Sequence, residues 1–121
     1  MLLDEIMNES IRQKKVASLI QESLSRLLLE KFPAEEYGLL SITRIDLSKD
    51  LKTARVYLSF FGGPASNDVI HRLNKSSGFL RKTIASLINL KYNPQFIFAE
   101  DPLARQEEKL VSILSKIKGH E

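Results

Sequence analysis

Val69-Ile70-His71-Arg72-Leu73-Asn74-Lys75-Ser76-Ser77-Gly78-Phe79-Leu80-Arg81-Lys82-Thr83-Ile84-Ala85-Ser86-Leu87-Ile88 is the stretch on which the fold turns. Continued to Ala99, it carries Arg72, Lys75, Arg81, Lys82 and Lys91 and neither Asp nor Glu. The whole chain has a net charge of +3, so the remainder is acidic on balance. Val69, Leu73, Leu80, Ile84, Leu87 and Ile88 recur at helical spacing. On one ideal helix these six positions fill an arc of about 100°. Arg72, Lys75 and Lys82 project on a different side, beside Gly78, and Arg81 lies at the edge of the apolar stripe. Glycine inside a helix costs about 1 kcal/mol relative to alanine and often marks a kink. The stretch therefore predicts a helix packed on a core and interrupted at Gly78. A positive φ at Gly78 would fit such a break.

Working outward, Asn93-Pro94 closes this stretch, and Gln95 to Glu100, with Phe96, Ile97 and Phe98, reads as a strand. Asp101-Pro102 is a cap and first-turn pair for a last helix. That helix would carry Leu103, Leu110, Val111, Leu114 and Ile117 on one side and end at Gly119. Upstream, Gly62-Gly63-Pro64 breaks a strand over Thr53 to Phe61. Its alternation puts Ala54, Val56, Leu58 and Phe60 on one face. Leu39 to Leu47 reads as another strand whose parity slips between Ile42 and Ile45, which predicts a bulge near Thr43-Arg44. The short link Ser48 to Lys52 makes these two strands an antiparallel hairpin. A linker through Gly38 follows Phe32-Pro33, which ends a first helix of about Asp4 to Lys31. Val16, Leu19, Ile20, Leu24, Leu27 and Leu28 form its apolar side, and Arg12, Lys14 and Lys15 a second basic cluster. The order is α-β-β-α-α-β-α. The strand after the helical crossover pairs in parallel, giving an α+β fold with a three-stranded mixed sheet against helices. The expected core includes Val16, Ile20, Val56, Leu58, Leu80, Ile84 and Phe98.

The 121 residues suit one domain, 1–121. There is no Cys, which excludes disulfides, thiolate chemistry and Cys-ligated metal and fits a reducing compartment. Asp4, Glu5 and Glu9 exclude an ordinary signal peptide at the start of this chain. No run approaches the ~20 apolar residues of a membrane span. A catalytic constellation does not assemble. His71 and His120 are the only histidines. Gly62-Gly63 lacks the Lys-Ser/Thr of a phosphate loop. Glu35-Glu36, Glu100-Asp101 and Glu107-Glu108 fit solvated surface or helix ends. The positive signal is electrostatic: basic helical faces suit a phosphate backbone, although such faces are often only solvated.

Four segments carry a resemblance. They are Arg12-x-x-x-Val16; Ser48-x-Asp50-Leu51-x-x-Ala54-x-Val56-Tyr57-Leu58-Ser59; Ser77-Gly78-Phe79-Leu80-Arg81; and Pro94-x-x-x-Phe98-x-x-Asp101. In this order and at these separations the chain resembles the ribosome-binding factor A family, assembly factors of the bacterial small ribosomal subunit. The resemblance implies a type II KH domain, with an interrupted helix in place of the Gly-x-x-Gly loop of ordinary KH domains. The family's Ala-x-Gly at the interruption is Ser76-Ser77-Gly78 here. It implies binding to free small (30S) subunits late in maturation, a role in processing 16S rRNA near its first helix, and a monomer in the cytoplasm. It implies no catalysis, no cofactor, no small-molecule substrate and no membrane partner. Arg72, Lys75, Arg81 and Lys82 would contact phosphates around Ser76, Ser77 and Gly78, with Arg12, Lys14 and Lys15 as an outer group. Three other readings stay open: a non-ribosomal single-stranded RNA-binding module, a protein-interaction module with a basic face, and a hydrolase acting on RNA ends.

Overall fold

Strict alternation buries one face of the strand over Thr53–Phe61 (β2), which lies at the centre of the sheet. Ala54, Val56, Leu58 and Phe60 are all buried on one face, while Arg55 and Phe61 stay exposed. In a computed structural model, which describes residues 2–103 and their side chains from Ile11 onward, β2 has a neighbour on each side. Leu39–Leu47 (β1) pairs with it antiparallel, from Leu39 opposite Phe61 to Leu47 opposite Ala54. Gln95–Glu100 (β3) pairs in parallel, from Thr53 opposite Gln95 to Leu58 opposite Glu100. The expected bulge is present: the register shifts between Ile42 and Arg44, and Thr43 has no partner in the ladder. This lets Ile42 and Ile45 both reach the core despite opposite parity. The Thr43 hydroxyl donates to the buried Asp101 carboxylate at 2.6 Å, and the Tyr57 carbonyl lies 3.2 Å from the same oxygen.

Helices cover the inner face. Helix Leu2–Lys31 (α1) contributes Ile20, Leu24, Leu27 and Leu28. Ser66–Lys75 (α3) contributes Val69 and Leu73, and Ser77–Leu87 (α4) contributes Leu80 and Ile84. With Val56, Leu58, Phe96 and Phe98 these form one cluster, and Val16 packs half-buried against it. The apolar stripes are narrower than the periodicity predicts. Leu19 is 48% exposed, at the edge of the α1 seam, and Leu87 is 63% exposed, on the last turn of α4.

The link after α1 holds a single turn of helix, Ala34–Tyr37 (α2), where the sequence reads as linker. Gly38 follows at φ 75° and Gly63 at φ 78°. Their backbones touch: a Cβ on Gly63 would sit 2.6 Å from the Gly38 nitrogen. Two glycines thus let the end of α2 close onto the turn after β2. Asp101 Oδ1 accepts from the Leu103 N–H at 3.0 Å, as an N-cap does. The remainder of the expected final helix, with Leu110, Val111, Leu114, Ile117 and Gly119, lies outside the described residues, as does His120.

Candidate RNA interface

The break in the central helical stretch falls at Ser76, not at Gly78. Ser76 has φ −87° and ψ 1°, and separates α3 from α4. Its N–H donates to Arg72 O at 3.0 Å and its carbonyl accepts from Leu80 N–H at 2.9 Å. Helical bonding therefore continues across a one-residue bend. Gly78 sits inside α4, is absent from the positive-φ glycines, and a Cβ there would meet nothing within 4 Å. Side-chain hydrogen bonds to β3 flank the bend instead. The Ser77 hydroxyl donates to Phe96 O at 2.7 Å, and Asn74 exchanges two hydrogen bonds with the Phe98 backbone. These tie both sides of the bend to β3 and leave its other side open.

Basic residues flank the bend in both helices. Lys75 ends α3, and Lys82 lies one turn beyond Gly78 in α4. Both are exposed and form no ion pair among the described residues. Arg72 is more constrained: its Nη1 donates to the Tyr37 hydroxyl at 3.1 Å, and its guanidinium stands 5.7 Å from that ring's centroid. The Gly38–Gly63 contact thus fixes the platform on which Arg72 rests. Arg81 is braced too, giving Nε and Nη2 to the Asn93 carbonyl at 3.1 and 2.8 Å. Held guanidiniums present fixed charge at less entropic cost than free ones.

The structure adds Lys31, which sequence reasoning missed. Its Nζ lies 5.9 Å from the centroid of Phe79, a ring 55% exposed and adjacent to Gly78. Nothing in the spacing of α1 signals this, because the contact crosses from one helix end to the next. Arg12, Lys14 and Lys15 are exposed but stand elsewhere. Their neighbour Gln13 donates to the Leu47 carbonyl at the far end of β1. Sixteen residues of α1 separate Lys15 from Lys31, about 24 Å of helix. The outer group therefore lies far along α1 from Lys31. No helix of the described residues is long and apolar enough to cross a membrane.

Comparison with known proteins gives the family. A model of the ribosome-binding factor A family matches residues 12–114. A ribosome-binding factor A from Clostridium tetani is 32% identical over 115 residues, spanning 94% of this chain and 88% of that protein. The crystal structure of ribosome-binding factor A from Thermus thermophilus superposes with a TM-score of 0.63 at 18% identity, over 73% of this chain and 94% of that one. A homology model of the Thermus thermophilus factor, fitted into the cryo-EM map of a 30S–RbfA complex, gives a TM-score of 0.52 at 23% identity, over 67% and 90%. The fold is therefore the KH-like fold of these structures. With the match running through both basic clusters and the bend, the chain belongs to the ribosome-binding factor A family.

Proposed function

We propose that this chain is a non-catalytic assembly factor that binds the free small ribosomal subunit and docks on its RNA through the bend between α3 and α4. The observation that carries this is the open bend itself: Lys75, Lys82, braced Arg72 and Arg81, and added Lys31, around a glycine with free space before it. Phosphates can approach such a backbone closely. Family membership and the 30S complex of the Thermus thermophilus factor support the choice of partner. Contacts of this kind position a protein without reading bases, so preference for the subunit comes from the shape of folded RNA. The factor acts as a monomer in the cytoplasm, late in maturation, near the first helix of 16S rRNA, and assists processing of its leader. Arg12, Lys14 and Lys15 form a separate outer contact.

The test is sedimentation of cell extract. The protein should travel with free small subunits and not with translating ribosomes, and its loss should leave precursor 16S rRNA accumulated. Purified protein should leave that precursor uncut. Co-sedimentation with large subunits alone, or cleavage of the precursor by purified protein, would refute the assignment.

A further inference from the structure

A second basic feature lies at the end of the sheet where β2 and β3 begin. Lys52, Thr53, Arg81, Tyr92, Asn93 and Gln95 line a hollow of about 370 Å³. Two of these are cations and none is an acid. Asp50, two residues before Lys52, is engaged in its own turn, accepting from the Ser48 hydroxyl at 2.6 Å and the Lys52 N–H at 3.0 Å. The Tyr92 ring is 51% exposed, and Lys91 Nζ stands 5.6 Å from its centroid. The Asn93 carbonyl is taken by Arg81, but its side-chain Oδ1 is buried and has no hydrogen-bond partner. A buried acceptor left in this way is costly, and the terminal torsion of an amide turns easily. Asn93 itself lines the hollow, where a ligand can supply the missing donor.

We propose that this hollow is a nucleotide subsite for single-stranded RNA. One unstacked base lies against Tyr92, its edge meets the Asn93 amide, and its phosphate sits between Lys52 and Lys91. An exposed aromatic beside cations is the arrangement that holds splayed bases, and an amide can both donate to and accept from a base edge. A duplex cannot offer a base in this way, so the ligand is a loop, bulge or end. The subsite rests on the reading of the α3–α4 bend as an RNA face and extends it, with Arg81 shared between the two.

The test uses the full chain, labelled with nitrogen-15, and 5′-phosphorylated ribotetranucleotides of each base. Binding should shift the NMR signals of Tyr92, Asn93, Gln95 and the Arg81 Nε–H. Tyr92→Leu and Asn93→Ala should each weaken oligonucleotide binding about tenfold, the scale of one stacked base. Asn93→Ala keeps the carbonyl that Arg81 uses and removes an unsatisfied acceptor, so its thermal midpoint should not fall. Absence of binding, shifts confined to the α3–α4 bend, or unchanged affinity in both variants would overturn the subsite. The bend reading fails separately, if Lys75→Ala, Lys82→Ala binds small subunits like the parent.

Discussion

Gly78 and Gly63 are alike in sequence and opposite in circumstance. Gly78 is helical with open space where a Cβ would go. Gly78→Ala should therefore raise stability by about 0.5–1 kcal/mol. It should also weaken binding to small subunits, because the new methyl stands where phosphate would approach the backbone. Denaturant melts and subunit binding measured on one preparation check both halves. A stabilised variant that binds normally would remove Gly78 from the interface. Gly63 has φ 78°, and a Cβ there would meet the Tyr37 carbonyl carbon at 2.6 Å. Gly63→Ala should cost more than about 1 kcal/mol. It should also loosen the Tyr37 platform under Arg72, visible as loss of the Arg72–Tyr37 contact by NMR. The sequence marks both positions only as glycine. Which one needs its freedom depends on a contact between segments twenty-five residues apart, which no local pattern carries.

At the scale of elements, period-two and period-3.6 patterns locate each strand and long helix among the described residues, because burial on one face leaves a mark in each residue choice. The bulge is legible for the same reason: Ile42 and Ile45 cannot both be buried on a regular strand. The one-turn α2 escapes, being four residues with none buried. The bend is placed two residues off because glycine is its conspicuous residue, whereas tertiary hydrogen bonds from Asn74 and Ser77 to β3 define it. Charge counting finds Lys75 and Lys82 but not Lys31, which joins through α1–α4 packing. If the bend is the RNA face, Lys75→Ala, Lys82→Ala should weaken subunit binding and flatten its salt dependence by about two units of slope. Lys49→Ala, Arg55→Ala removes the same charge from the hairpin and the outer sheet face, and should leave binding nearly unchanged. Equal losses in both pairs would mean that net charge, not this face, drives association.

At the scale of the whole molecule, a single core makes the sites rigid with respect to one another. Leu80 is fully buried between α4 and the sheet, so Leu80→Ala should cost about 2–5 kcal/mol in a denaturant melt. A cost below about 0.5 kcal/mol would contradict the packing. That rigidity matters for the separated cations. Lys15 stands about 24 Å along α1 from Lys31, and Arg12 farther. One flexible strand need not touch both, but a folded RNA surface of subunit size can. Substitutions at sites this far apart, sharing no partner, contribute independently to binding free energy. Arg12→Ala, Lys15→Ala should therefore weaken subunit binding in proportion to its own contacts. Combined with Lys75→Ala, Lys82→Ala, the logarithms of the two losses should add to within about 0.5 kcal/mol. The salt slope should fall by the sum of the two separate decreases. Should the Arg12, Lys15 pair leave both affinity and slope untouched, the contact ends at the bend and that cluster is a solvated helix face. A combined loss well short of additive would mean that the two clusters do not engage the RNA at the same time.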